Sequence, residues 1–392
     1  MNLLLISIDS LRLDYVSHTN ASLQTPRFDE LARQLHFFDR LFSPSSATRP
    51  VHASLFTGLY PFEHGILGQG SANMRSGLPH LFELLQNQGY ACAGFSEARA
   101  IFEGLDFASW IGDLGPDPTS QVGRILQKNH PAPQCLFLHF WSTHTPYGAA
   151  DDRAYGETAR LLASGQHHIV RQRYTHAVEN LFEKKIAPLL SKLELQRWCI
   201  FIFGDHGESW TREEPYHGMT LRNSVLRVPF YYHIPGLGML HLERPLLSLI
   251  DLFPTLVNIF KLEVDYKGWG RDIRAQGKSP HYLAQIHPLP GGDDLSGRIE
   301  KDQLVGDYYQ GPLWALFDEH YKFTWEELRG RGRLERTLTE EPVEANSSTT
   351  SYTTLYGQMK KDSAYTDLSP PPPTREAEGR LEQRLRDLGY ME

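Results

Sequence analysis

The stretch ATRPVHASLFTGLYPFEHG, residues 47–65, decides how this chain is read. It sets one hydroxyl, Thr48, close before Pro50 and ahead of a run of small residues from Ala53 to Gly58. Such a run lets an extended loop turn into a helix whose first amides have no intrahelical partner. Those amides and the helix dipole favour an anion, so a tetrahedral phosphate or sulfate fits over the Thr48 oxygen. Taken alone, an ordinary N-cap hydroxyl is the commoner reading of such a threonine. The rest of the chain tips the balance.

Asn2 to Ile8 is a continuous apolar run ending at Asp9, the pattern of a strand buried in a parallel sheet. A carboxylate at the carboxyl end of such a strand lies where open α/β sheets bind ligands. The segment IDSLRLD (residues 8–14) thus offers a metal ligand, Asp9, followed by a cation, Arg12; a helix-capping Asp9 is the alternative. Further strands are expected at Tyr90 to Phe95, Cys135 to Trp141, Trp198 to Phe203 and Leu226 to Ile234. Helices are expected from Thr25 to Leu35, Leu78 to Gln88, Arg171 to Leu190 and Ser248 to Phe260. Residues 99–134 are mixed in pattern and define no element. The alternation predicts an α/β fold with a mostly parallel central sheet and helices on both faces. After Lys261 the composition changes. Runs at 304–309, 314–317 and 321–325 suggest a small antiparallel unit, and Glu335 to Lys361 reads as a long polar loop. Pro370 to Pro373 is a rigid spacer before a closing amphipathic helix, Arg375 to Leu388. The expected division is a core over residues 1–265, a smaller α+β unit over 266–369, and the spacer with its helix over 370–392.

A chain of 392 residues with 40% hydrophobic and 22% charged residues has the composition of a globular protein with a full core. The net charge of −8 argues against a broad nucleic-acid surface. Cys92, Cys135 and Cys199 lie in apolar surroundings, as buried thiols do, rather than in a disulfide framework or zinc cluster. No stretch approaches the ~20 apolar residues that cross a bilayer, and a cytoplasmic location is the expectation.

Asp9, Thr48, Asp205 and His206 each fall at or near the carboxyl end of an expected strand. Two carboxylates, an imidazole and a hydroxyl suit one divalent ion, Mn²⁺ or Zn²⁺ before Ca²⁺. The chemistry needs that ion, because a threonine hydroxyl attacks at neutral pH only when its pKa is lowered. His144, after the third strand, and His217 are placed to hold a non-bridging oxygen or to protonate a leaving group. Arg12, Arg49 and His52 join His144 and His217 as candidate contacts to the substrate anion.

With these pieces in order, the chain resembles the alkaline phosphatase superfamily in its sulfatase and phosphodiesterase branch. The matching segments are IDSLRLD, TRPVHASLFTGLYPFEHG, THTPY (143–147), GDHGES (204–209), HGMTLRNSVLRVPFYYHIPG (217–236) and LIDLFPTL (249–256). They span residues 1 to about 260; beyond them only HYKFTW (320–325) and LRDLGY (385–390) are familiar. The resemblance implies an alkaline-phosphatase-like core, a metal held by Asp9, Asp205 and His206, and a covalent nucleophile at Thr48.

Three departures shape the functional expectation. Sulfatases of this type carry a Cys or Ser in a C/S-x-P-x-R pattern that is oxidised to formylglycine. Here Thr48 and His52 stand in those places, and threonine cannot yield that aldehyde. The T-x-P-x-H pattern instead resembles the nucleotide pyrophosphatase/phosphodiesterases, where threonine attacks phosphorus. Ser10 replaces a further Asp of the calcium-dependent sulfatases. The Asp that helps hold a second metal in two-zinc relatives, four positions before His144, is Phe140, with Ser142 nearby; one metal is favoured over two. His217 lies where sulfatases place a substrate-binding Lys, and Arg222-Asn223 replaces the usual Tyr-acidic pair. The leading expectation is a metal-dependent hydrolase of a small or conjugated phosphate diester, monoester or phosphonate ester, working through phospho-Thr48. The alternatives are a phosphoryl transferase using the same nucleophile, a sulfate ester hydrolase without formylglycine, and a non-catalytic anion-binding member.

Overall fold

The computed structural model describes residues 1–365 except 72, 127–131, 148–152, 212–215, 238–241, 243, 278–279, 289–310 and 345–347. Twelve strands are present among the described residues: β1 (Asn2–Ile8), β2 (His36–Phe42), β3 (Ala91–Ser96), β4 (Ile111–Asp113), β5 (Gln134–Phe140), β6 (Trp198–Gly204), β7 (Arg227–His233), β8 (Leu247–Ser248), β9 (Tyr282–Ile286), β10 (Leu313–Phe317), β11 (Tyr321–Glu326) and β12 (Arg331–Arg336). The first eight form one sheet in the order β4-β3-β5-β1-β6-β7-β2-β8. β4, β3, β5, β1 and β6 are mutually parallel, and β7 alone runs against its two neighbours, β6 and β2. This is the mostly parallel sheet the alternating pattern predicted. The apolar runs of β1, β5 and β6 occupy its centre because residues buried on both faces leave no polar alternation.

Each face carries its own core. One joins Leu3, Leu5, Phe137 and Phe201 to helices Thr48–Thr57, Leu81–Asn87 and Leu252–Phe260. The other joins Leu4, Ile6, Leu138 and Ile200 to Pro26–Ala32 and to the long helical segment His167–Leu190. That segment contains a π-helical turn, Phe182–Ile186, so the single expected helix is three consecutive pieces. Cys135 and Cys199 are buried thiols as expected, whereas Cys92 is partly exposed; all three are free.

The second sheet is antiparallel, in the order β12-β11-β10-β9. Tyr282, Ala284, Ala315 and Phe317 pack on Phe42, Ala47 and Leu221, beside the loop that leads into Thr48. Its other face receives helix Ser348–Asp362 through Tyr356 and Met359 against Trp314 and Phe323. This helix, with part of β12 before it, corrects the expected loop from Glu335 to Lys361. Serine, threonine and tyrosine give that segment weak intrinsic helicity, and packing on an aromatic sheet face supplies what propensity does not. The run at 304–309, the proline spacer and the closing helix at 375–388 lie outside the described residues.

Two familiar motifs serve this architecture. Asp251 of LIDLFPTL, fully buried, accepts hydrogen bonds from the Ser248 and Arg271 amides and the Tyr282 hydroxyl, and lies 3.3 Å from Arg244. It therefore joins the end of the first sheet to β9. Lys322 of HYKFTW, also buried, reaches from β11 to the Leu221 carbonyl (3.3 Å), Asn223 Oδ1 (2.8 Å) and the Glu340 carboxylate. Glu340 thus supplies the acidic partner of Lys322, and Asn223 bridges the two.

Glu63, buried at the end of the 47–65 stretch, accepts from the Tyr60 amide at 2.9 Å and the Ser363 hydroxyl at 2.8 Å. Burial pushes its carboxyl from 4.5 up to about 7. Between those values the folded chain binds a proton that the unfolded chain has released. The stability this supplies is complete below about pH 4.5 and is lost as pH rises through about 7, by up to about 3 kcal/mol. Urea unfolding at pH 5 and pH 8 should show the wild type losing more stability across the interval than Glu63→Gln; equal losses would contradict it.

Candidate functional site

The carboxyl ends of β1, β5 and β6 open side by side, and the loop after β2 arrives beside them. The ladder continues one residue past β1 and β6: the Asp9 amide donates to the Phe140 carbonyl at 2.9 Å and the Asp205 amide to the Ile8 carbonyl at 3.2 Å. Both carboxylates are therefore fixed by sheet backbone. Ser10 then turns sharply with φ of 55°, a left-handed conformation uncommon for a residue with a side chain. In that turn its amide donates to Asp205 Oδ1 (3.1 Å) and its hydroxyl to Asp9 Oδ1 (2.8 Å). Ser10 thus ties the two carboxylates together.

The loop after β2 is stitched in place by backbone. The Ser43 amide donates to Leu226, Gln285 to the Pro44 carbonyl, and Gly218 to the Ser46 carbonyl. Ala47, extended at φ −143° and ψ 147°, ends the loop, and Thr48 is the first residue of the helix Thr48–Thr57. Thr48 is therefore not the N-cap. Its buried hydroxyl donates to Asp9 Oδ2 at 2.8 Å and lies 3.3 Å from His206 Nε2.

His206 Nδ1 faces the Gly207 carbonyl at 2.9 Å, an acceptor, so Nδ1 carries the hydrogen and Nε2 the lone pair. Burial, and the neighbouring His217, lower its pKa to about 4, which keeps it neutral. A ligating imidazole has this form, with its other nitrogen donating to a carbonyl. Gly207 is required here, since a Cβ would lie 2.1 Å from the Ser224 carbonyl oxygen.

Asp9, Asp205 and His206 present ligand atoms all within 4.8 Å of one another, fully buried. Asp205 Oδ1 accepts from the Ser10 and His206 amides, but Oδ2 accepts no hydrogen bond and lies 3.7 Å from His206 Nε2. Burial and the adjacent Asp9 charge push the Asp205 carboxyl well above the usual range. At Asp9, burial acts in the same upward sense, but the His139 ring, 3.6 Å away, and the nearby His144 and His206 imidazoles outweigh it and hold the group low. Two carboxylates so close, one with an orphaned oxygen, are what a cation would stabilise. Two ligands about 2.1 Å from one tetrahedral ion lie roughly 3.4 Å apart, close to the 3.3 and 3.7 Å seen around His206. The donor set fits a divalent metal ion.

His217 and His144 stand beside this cluster. The His206 and His217 ring centroids are 4.5 Å apart, and those of His217 and His144 5.0 Å. His217 Nδ1 lies 3.3 Å from both oxygens of Glu208, which also accepts from Thr145, Tyr147 and the Ser209 amide. Burial raises the Glu208 carboxyl, yet the His217 charge and hydrogen bond leave it net lowered and ionised. His144 Nδ1 faces the Thr145 carbonyl at 2.7 Å, and its ring stacks on Trp141 at 3.8 Å. In each ring Nδ1 is thus engaged by a neighbouring oxygen. Among the described residues, His144 and His217 belong to no group of three metal-binding side chains.

Three expected substrate contacts are committed elsewhere. The Arg49 guanidinium, buried, donates to the carbonyls of Ile101, Glu103 and Ser71. Arg12 pairs with Asp14, donates to the Glu208 carbonyl and lies 4.8 Å over the Trp210 ring. His52, kept neutral by burial, donates from Nδ1 to the Thr48 carbonyl (2.8 Å) and accepts at Nε2 from Ser7 (3.0 Å). It braces the helix turn under Thr48, and its lone pair is not available to a second ion. Glu208 and His139 are the buried polar residues here that spacing did not single out. Glu208 lay in the GDHGES motif, but His139 sits inside an apolar strand and gave no signal.

Residues 1–120 and 119–262 match the family model described as Sulfatase. The sequence is 23% identical over 300 residues to an ulvan-active sulfatase of Formosa agariphila, covering 61% of this chain and 48% of that protein. The chain thus spans about half the length of the curated relative it matches. Among solved structures, the fold matches a 2-O GAG sulfatase with a TM-score of 0.67 at 15% identity, covering 96% of each chain. It also matches a phosphonate monoester hydrolase from Silicibacter pomeroyi with a TM-score of 0.65 at 17% identity, covering 96% of this chain and 98% of that one. At these identities the structural likenesses speak to the fold.

Proposed function

Because the chain belongs to the sulfatase family, we propose that it is a metal-dependent hydrolase that cleaves a phosphate or phosphonate ester through a covalent phospho-Thr48 intermediate. The observation that carries this reading is the Thr48 hydroxyl, at a helix start, 2.8 Å from Asp9 Oδ2 and 3.3 Å from His206 Nε2. A threonine there excludes the aldehyde route to sulfate cleavage and leaves direct attack by its own oxygen.

Asp9, Asp205 and His206 would hold a divalent ion, which would lower the hydroxyl pKa and neutralise charge on the transferred group. The chain does the rest. The Thr48 proton leaves along its hydrogen bond towards the ionised Asp9 as the Oγ–P bond forms. The bond from phosphorus to the leaving oxygen breaks, and that oxygen takes a proton from Nε2 of His217 or His144. Of the first positions of helix Thr48–Thr57, Arg49 spends its amide on Gln69 Oε1 at 3.2 Å and Pro50 has none, so the Thr48 amide and the helix dipole are what the helix start offers the anion. In the second step the same imidazole takes a proton from water, whose oxygen attacks phosphorus; the P–Oγ bond breaks and the Thr48 oxygen takes its proton back from Asp9.

Glu208 positions His217, which yields a selective prediction. Glu208→Gln should lower kcat roughly 10–100-fold on alkyl phosphodiesters, whose leaving groups need a proton, and far less on p-nitrophenyl esters. Metal content should stay unchanged. Equal losses on both ester types would assign Glu208 a merely structural part.

The function itself is tested by a metal-reconstituted panel of p-nitrophenyl phosphate, bis-p-nitrophenyl phosphate, a phenylphosphonate ester and p-nitrophenyl sulfate. Turnover of a diester or phosphonate supports the reading. Turnover of the sulfate alone moves it to sulfuryl transfer through Thr48, and turnover only with an added alcohol moves it to a transferase. Metal bound with no reaction under either condition would contradict the enzymatic reading on these substrates.

A further inference from the structure

One buried titratable group near the site has no part in the chemistry above. His139 is the penultimate residue of β5, paired in register with Ser7 on β1 and Ser96 on β3. Residues paired across parallel strands share a face, so Ser96, His139 and Ser7 form a polar row on the face that otherwise carries Leu3, Leu5 and Phe137. Such a row in an apolar layer needs a reason, since buried polar atoms without partners are costly. Ser7 is explained by His52, whose Nε2 it satisfies. Ser96 is explained by His139, whose Nδ1 lies 2.8 Å from its hydroxyl oxygen.

His139 Nε2 remains. It is fully buried, makes no hydrogen bond, and lies 3.6 Å from Asp9 Oδ2, the same oxygen that receives the Thr48 proton. His139, His52 and Asp205 also present ligand atoms within 4.8 Å of one another, and His52 already spends both nitrogens on Thr48 and Ser7. The ring is held edge-on by Phe102 and His52, with centroids 5.2 and 5.0 Å away. A nitrogen and an oxygen bound to one ion at about 2.1 Å each lie roughly 3 to 3.5 Å apart.

We propose that His139 is an additional metal ligand, binding through Nε2 to the ion held by Asp9, Asp205 and His206. The inference rests on the metal site of the proposed function. Its geometry requires Nδ1–H to donate to Ser96, whose oxygen also accepts from the Ala98 amide at 2.9 Å. A second-strand serine is then the outer partner that orients a ligating imidazole. Two nitrogens beside two carboxylates favour Zn²⁺ or Co²⁺ over Ca²⁺ and Mg²⁺, which take oxygen ligands. This selectivity would come from a residue hidden inside a strand rather than from a motif.

The test is metal binding and spectroscopy, independent of turnover. Metal-free wild type, His139→Gln and His139→Phe are titrated with Zn²⁺, and the visible absorption of the Co²⁺ forms is recorded. Phenylalanine keeps the ring packing on Phe102, glutamine keeps polarity, and a folded form of either serves. Zn²⁺ affinity should fall at least tenfold, Ca²⁺ affinity should change less, and the Co²⁺ bands should shift with the loss of a nitrogen. Unchanged affinity and bands would overturn the proposal. Weaker binding with unchanged bands would also overturn it, leaving His139 as a positioning residue for Asp9. Wild type that binds no Zn²⁺ or Co²⁺ would instead overturn the metal site on which the proposal rests.

Discussion

Thr48→Ala is expected to lose turnover on every ester the protein cleaves, on the order of 10⁴-fold or more, as removal of a covalent nucleophile does. The variant should still fold and bind metal. Alanine suits the first turn of a helix, and Ala47, already extended, sets the helix start without help from the threonine side chain. What is lost is one buried hydroxyl and its bond to Asp9 Oδ2, worth about 1–2 kcal/mol of stability. Thr48→Ser keeps the attacking oxygen but frees its rotation, so it should retain part of the activity. Parallel kinetics, thermal melts and metal analysis separate these effects. Alanine with substantial turnover would leave the hydroxyl a bystander.

Asp205→Asn is the second large effect, and it should act in opposite directions on the metal-free and metal-loaded protein. Asparagine can still accept from the Ser10 and His206 amides through one oxygen. It removes a buried carboxylate that burial and Asp9 disfavour, together with its orphaned Oδ2. The metal-free variant should therefore melt at or above the metal-free wild type. Adding Zn²⁺ or Mn²⁺ should stabilise the wild type, by about 2.7 kcal/mol at a hundred times Kd, and the variant hardly at all. Activity should disappear with the metal. Equal stabilisation of both proteins, or activity after chelation, would contradict the site.

Much of this was legible in the sequence, for physical reasons that vary by residue. Strands buried on both faces read as apolar runs, so β1, β5 and β6 could be placed together with the polar groups at their ends. Asp9, Asp205 and His206 follow such runs directly, and no packing role explains them there. Arg49 and His52 could not be read the same way. They lie on the same helix as Thr48, and which way a helical side chain turns depends on what packs on that helix. Here backbone carbonyls took the guanidinium and Ser7 took the imidazole. His139 was hidden by the reverse effect, because a single histidine in QCLFLHF is indistinguishable from core until the register sets it beside Asp9. The helix Ser348–Asp362 was missed because its stability lies in contacts with β10 and β11, not in its own residues.

The measurement that tests the central claim most directly is mass mapping of the metal-loaded enzyme, quenched in acid during turnover of a phosphodiester or phosphonate ester. One substituted phosphoryl group should appear on the peptide carrying Thr48, and should be absent from Thr48→Ala. An adduct on another side chain, such as His144, would contradict Thr48 as the nucleophile. So would the combination of turnover with inversion at a chiral phosphorus and no adduct, the mark of a single displacement by water.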